Sequence, residues 1–174
     1  MAHLAGTPTL QTERLTLRAP GPQDWVACRA FFATDRSRFM GGPYDERQSW
    51  RAFGHAIGHW VLRGWGSFAY CERGSDAVLG MVGPWYPAGW PEREIGWSVW
   101  APEHEGKGYA FEAARAAIDF AFETLGWQTA VSYIDPENVR SIALAERLGA
   151  ERDAAAARPD PTDLVFRHRV AEAA

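Results

Sequence analysis

Between residues 14 and 20 the chain reads RLTLRAP, with polar and apolar residues in alternation, and this period of two predicts a first strand. GPQDWVACRAFFATD changes the period: Trp25, Cys28, Phe31 and Phe32 fall on one face of a helix. FMGGPYD interrupts it. ERQSWRAFGHAIGHWVLRG then resumes helical spacing through Trp50, Phe53, Ile57 and Val61 and stops at Gly64. From Trp65 the period of two returns, and GSFAYCERGSDAVLGMVGPW predicts two strands joined by a turn at residues 73–76. Residues 94–100 predict another strand, with Ile95, Trp97 and Val99 on one face and Glu94, Gly96, Ser98 and Trp100 on the other.

Ala110, Ala113, Ala114, Ala117, Ile118, Ala121, Phe122 and Leu125 next mark one face of an unbroken helix, whose solvent side carries Glu112, Arg115, Asp119 and Glu123. WQTAVSYID predicts a strand. DPENVRSIALAERLGA predicts a short helix, with Asp135 as its cap, Pro136 in its first turn and Gly149 at its end. AAAARPDPTD reads as a loop and LVFRHRV as a final strand. Strands clustered ahead of an αβαβ tail predict an α/β fold (an α+β mixed sheet) with helices packed on the sheet's faces. No repeat or linker divides the chain. Residues 1–174 are expected to form a single domain, with a core over about 12–170.

Composition narrows the partners. A formal net charge of −4 over 174 residues argues against a nucleic-acid backbone as ligand. MAHLAGTPTLQTERL has neither the basic nor the apolar region of a secretory signal. The best uncharged run, AVLGMVGPWYPAGWP, is broken by Gly and Pro, so no membrane span is expected. Cys28 and Cys71 have no metal-ligand spacing and are too few for a disulfide framework, which predicts a cytoplasmic protein with free thiols. Six of the nine tryptophans lie between Trp60 and Trp100. Most aromatics on strands are core. Trp85, Tyr86 and Trp90, set among Gly and Pro in a connection, are instead candidates for lining a binding site.

The stretch HEGKGYA joins a strand to a helix through Gly106, Lys107 and Gly108. Unpaired amides and the positive end of a helix dipole converge there, and glycine lets an anion approach, so the turn suits a phosphate. The alternative is a plain strand-to-helix turn that binds nothing. Gly108 follows Lys107 where a P-loop needs Ser or Thr, and the third glycine of a dinucleotide fingerprint is missing. His55 and His59 stand four apart, but HAIGH lacks a glutamate and a third ligand. They are read as surface histidines, and no metal is expected. His104 is read as a solvated loop residue, and Cys28 and Cys71 as buried thiols.

Taken together, EIGWSVWAPE, HEGKGYAFEA and DPENVRSIALAERLGA, in this order and spacing, resemble the GNAT N-acetyltransferases, most closely the RimJ/RimL-like branch. The likeness runs from TERLTLRAP to LVFRHRV. It implies that Glu105, Gly106, Lys107, Gly108, Tyr109 and Ala110 wrap the pyrophosphate of acetyl-CoA, that pantetheine lies along Ser98, Val99 and Trp100 like an added strand, and that Asn138 faces the cofactor. Glu105 stands where the family carries Gln or Arg, so weaker cofactor affinity is expected. Ala145 stands where many members carry a tyrosine acid. Ser141 matches the serine of the RimL-like members and is assigned as the acid; Glu94 is the candidate base, an exposed strand glutamate being the other reading of it. The expected activity is transfer of an acetyl group to a small amine or a peptide N-terminus, with acceptor walls from the second helix, the Trp85, Tyr86 and Trp90 connection, and the last loop near Asp160 and Asp163. A homodimer is compatible with these expectations. The alternatives are a non-catalytic acyl-CoA-binding or partner-binding module on the same fold and an unrelated nucleotide-binding domain.

Overall fold

The structure, a computed structural model, describes residues 4–170. Its strands are β1 (Leu10–Gln11), β2 (Leu15–Arg18), β3 (Phe68–Glu72), β4 (Val78–Trp85), β5 (Glu94–Val99), β6 (Thr129–Ile134), β7 (Glu151–Arg152) and β8 (Leu164–Arg169). The helices are α1 (Trp25–Phe32), α2 (Glu46–Arg63), α3 (Tyr109–Asp119) and α4 (Val139–Arg147). One eight-stranded sheet runs in the order β1-β2-β3-β4-β5-β6-β8-β7. Every pairing is antiparallel except β5 with β6, and α3 supplies the crossover that a parallel pair requires. The expected mixed sheet flanked by helices is found.

Both faces of the sheet are covered. On one, Leu15, Leu17, Phe68, Tyr70 and Ile95 meet Ala113, Ala114 and Ala117, whose small side chains let α3 lie close to the strands. On the other, Cys28, Phe31, Phe32, Phe53 and Trp100 form a second cluster beneath α1 and α2.

Four local expectations are corrected. The buried face of α2 is Ser49, Phe53, Ala56 and Trp60, and the helix is turned so that Trp50 (61% exposed) and Val61 (71%) face outward. Trp50 instead meets Trp25 edge-on at 4.9 Å. The alanine-rich helix is not unbroken: after Asp119 it widens into a π-helical turn, Phe120–Thr124, that carries the Phe120 ring to 5.2 Å from Phe68. Glu112 does not face solvent. The chain entering β2 offers it the Thr12 hydroxyl (2.6 Å), the Arg14 N–H (2.8 Å) and Arg14 Nε (2.7 Å). Finally, Asn138 caps α4, its side chain accepting from the Ser141 N–H at 3.2 Å, whereas Asp135 accepts from the Glu137 N–H (2.7 Å) in a turn before the helix. Strands β1 and β7, two residues each, were not expected.

Candidate functional site

The parallel pair β5–β6 is joined at one register position, Glu94 opposite Val131, with the Val131 N–H on the Arg93 carbonyl at 2.9 Å. One residue further, a side chain replaces the ladder: the Ser132 hydroxyl donates to the Ile95 carbonyl (2.7 Å) and accepts from His168 Nε2 (2.9 Å). Beyond this clasp the strands part around a cavity of about 130 Å³. Glu94, Gly96 and Trp97 of β5 line it, with Tyr133 of β6, Asn138 at the N-cap of α4 and Ser141 within that helix. Phe39 and Met40, from the connection between α1 and α2, close one side.

The antiparallel alternation of β4 and β5 decides which backbone groups face this gap. The Trp100 N–H bonds the Leu79 carbonyl at 2.9 Å, so Val99, opposite Gly80, turns its N–H and C=O away from β4. Arg36 reaches the Val99 carbonyl from that open side at 3.1 Å. The side chains of Ser98 and Trp100 are used elsewhere: Trp100 Nε1 bonds Ser98 Oγ at 3.1 Å, and its ring stacks on Phe31 at 6.0 Å. Of the three residues expected along pantetheine, Val99 presents its backbone to the gap. Trp97, which the strand alternation sets on one face with Ile95 and Val99, also lines it.

The glycine turn follows. Gly106 (φ +73°) and Gly108 (φ +80°) both adopt the left-handed conformation that favours glycine. Gly108 is the N-cap of α3 and has no side chain to cap with, so the first amides of the helix remain free for an anion. Arg14 braces the turn by donating to the Lys107 carbonyl at 2.9 Å, and its guanidinium lies 4.9 Å from the Tyr109 ring centre. The Tyr109 side chain is buried, with its hydroxyl on Glu72, so only its backbone faces the turn. Lys107 is exposed, while Ala110 is partly buried in the first turn of α3. Glu105 holds two arginines, Arg36 at 2.6 Å and Arg140.

Glu94 and Ser141 both line the cavity. Trp97 Nε1 donates to Ser141 Oγ at 3.2 Å, leaving the serine's own proton to be donated elsewhere. Glu94 is partly buried and accepts from Trp90 Nε1 at 2.6 Å. Burial pushes its carboxyl up to about 7; Asp163 adds to the rise, and the bonds from Trp90 and the Tyr133 backbone oppose it. Among the described residues Tyr133 Oη is buried without a hydrogen-bond partner, and burial raises its phenol to about 12, so it keeps its proton. Ala145 packs against Ile134 and Phe166. The pairing of Ile134 with Leu164 sets Asp135 and Asp163 at the end of the β6–β8 ladder, near Glu94. Asp160 lies just before, accepting from the Thr162 N–H and hydroxyl.

The aromatic connection divides. Trp90 joins Glu94, but Trp85 stacks on His59 (4.8 Å) and lies near His55 (4.7 Å), and Tyr86 packs under Arg63. His59 is not a surface residue; it is 2% exposed. Its Nε2 accepts from the Tyr86 N–H at 2.9 Å, so Nδ1 carries the proton and donates to the Trp65 carbonyl, also at 2.9 Å. Both nitrogens are therefore occupied. Cys28 and Cys71 are buried, and burial pushes the Cys28 thiol up to about 12. Among the described residues no helix is long and apolar enough to cross a membrane.

The buried imidazoles give a stability prediction. Burial lowers His168 to about 4, and burial also lowers His59. The unfolded chain, with histidine near 6.5, then takes up protons before the folded one does. This share of the stability is present above about pH 6.5 and is lost as pH falls toward 4. Glu94, raised by burial, pulls the other way over the same range, so the readout is the difference: between pH 7.5 and 4.5 the melting temperature of His168→Gln should lose less than that of the wild type. An equal loss in the two proteins would remove His168 as its source.

Comparison with known proteins accords with this geometry. Residues 14–151 match the family model described as "Acetyltransferase (GNAT) domain". The uncharacterized N-acetyltransferase p20 of Bacillus licheniformis is 30% identical over 149 residues, 83% of either chain. The match to the uncharacterized N-acetyltransferase YnaD of Bacillus subtilis (strain 168), 31% identical over 86 residues, spans 49% of this chain and only 50% of that protein. The crystal structure of an acetyltransferase from Agrobacterium tumefaciens str. C58 superposes with a TM-score of 0.90 at 42% identity, covering 98% of this chain and 99% of that one. The chain belongs to the GNAT acetyltransferase family, and membership implies acyl-CoA-dependent N-acetylation.

Proposed function

We propose that the protein is a cytoplasmic, single-domain N-acetyltransferase of the RimJ/RimL-like branch that uses acetyl-CoA to acetylate a primary amine by direct attack in a ternary complex. The observation that carries this reading is the parted β5–β6 pair, with Glu94 and Ser141 both lining the gap and the glycine turn beyond the end of β5. The outward-facing edge of β5 near Val99, whose carbonyl Arg36 holds, suits the amides of pantetheine, and the first amides of α3 suit the diphosphate. The Val99 N–H polarises the thioester carbonyl. Glu94 takes a proton from the ammonium of the acceptor, whose freed nitrogen attacks the acetyl carbon as the C–S bond breaks. Ser141 donates its proton to the departing thiolate and is reprotonated, through solvent, by the acylated nitrogen as that sheds its second proton to become the amide; Glu94 then releases its own proton to solvent.

Asp135 and Asp163 face each other across a ladder end, where like charges repel. Together with Glu94 they favour a positively charged acceptor, a small amine or a peptide N-terminus. Trp90 is its aromatic neighbour at the base, and Trp85 and Tyr86 shape the approach from α2. Thiol release from acetyl-CoA should depend on added amine, and be fastest with amines bearing a second positive charge. Ser141→Ala should lower kcat within the range of about 10²–10⁴-fold typical of acid–base help. Acetyl-CoA binding with no amine-dependent thiol release would instead identify a non-catalytic acyl-CoA module.

A further inference from the structure

The residue expected to weaken cofactor binding is not a bare negative charge. One oxygen of Glu105 meets Arg36 Nη2 at 2.6 Å, and the other meets Arg140 Nη1. Two guanidinium groups and one carboxylate leave one net positive charge immediately before Gly106. The two arginines are held differently. Arg36 is three-quarters buried, also bonds the Val99 carbonyl at 3.1 Å, and so is fixed to β5. Arg140, the second residue of α4, is 76% exposed, and among the described residues its side chain bonds Glu105 alone.

Resting on the acetyl-CoA reading above, we propose that Arg140 is a binding residue for the cofactor's diphosphate, and that Glu105 is the positioning residue that holds it beside the glycine turn. Releasing an exposed ion pair costs little, because water solvates and screens both charges. A guanidinium on a phosphate gains two charge-assisted hydrogen bonds in fixed geometry. When Arg140 turns to phosphate, Glu105 keeps Arg36 and is never left uncompensated. A glutamine at this position would leave two guanidinium groups facing each other without a counterion.

Calorimetry with CoA separates this from simple repulsion. Arg140→Met should weaken CoA binding about 10- to 100-fold, the worth of a hydrogen bond to a charged group, and should flatten the dependence of affinity on salt. Arg140→Lys, which keeps a point charge, should retain part of the affinity. Glu105→Gln should bring no gain in the wild-type background but should recover affinity in the Arg140→Met background, where Arg36 is then freed as the remaining cation. Dephospho-CoA, lacking the 3′-phosphate, should show the same loss on Arg140→Met; a loss confined to CoA would overturn the diphosphate assignment. Wild-type affinity in Arg140→Met, or equal tightening by Glu105→Gln in both backgrounds, would overturn the proposal. A wild-type protein that binds no CoA at all would instead remove the acetyl-CoA reading on which it rests.

Discussion

Glu94→Gln is expected to lower kcat/KM for the amine by about 10²–10⁴-fold at pH 8 and to erase the acidic limb of the pH profile. An ammonium cannot attack a thioester; its proton must leave first. A carboxylate near its ordinary pKa is a weak base for that task, but burial brings Glu94 up to about 7, close to working pH. The wild-type rate should therefore climb as pH rises through about 7 and then level off. Trp90→Phe removes the 2.6 Å indole bond that favours the charged form, so it should move this limb to higher pH. Stability provides a second readout. Because burial holds the Glu94 carboxyl above its ordinary value of 4.5, the ionised form is penalised in the folded protein, and this group's share of the stability falls as pH rises from about 4.5 to 7. Gln keeps the neutral shape, so Glu94→Gln should melt higher than wild type at pH 8 and close to it at pH 4.5. A variant with normal kcat/KM across this range would show that positioning alone carries the reaction.

What could be read from the chain was what is local. The alanine face of α3 and the two glycines before it are contiguous signals, and the structure places both as expected because a short turn and a helix face depend on near neighbours. The facing of α2 was less secure. Trp50 and Val61 share helical spacing with Phe53, but so do Ser49, Ala56 and Trp60, and only the packing against the sheet chooses between the two stripes. β1 and β7 are too short to show any period. The cavity itself had no local signal: it exists because β5 and β6, joined through a long crossover, part after Val131, and Ser132 and His168 clasp them where they part. Arg36 and Glu105 are 69 residues apart. The family pattern therefore marks Glu105 as a departure, while of the arginines that compensate it Arg36 lies between the predicted elements and Arg140 stands within the α4 stretch with no local signal pointing to Glu105.

The second large effect is expected at Gly108, where Gly108→Val should weaken acetyl-CoA binding severely in a protein that still folds. A φ of +80° is strained for any branched side chain, and such strain is worth about 1–3 kcal/mol. If it is relieved by moving the turn, the loss in affinity is about 5- to 150-fold. Space adds to the effect. A Cβ at Gly108 would lie 3.3 Å from Arg14 Nη2, and the γ-methyls of valine would reach further toward the guanidinium that holds the Lys107 carbonyl. The turn would lose its brace and the helix amides their alignment. Gly106→Ala should cost less, since its φ of +73° is equally unfavourable but no atom lies within 4 Å of the added carbon. Lys107→Met should cost least, because an exposed charge is screened by salt. Calorimetry on the three variants, with melting curves to confirm folding, should return affinities in that order. Wild-type affinity in a folded Gly108→Val protein would mean that the diphosphate does not bind at this turn.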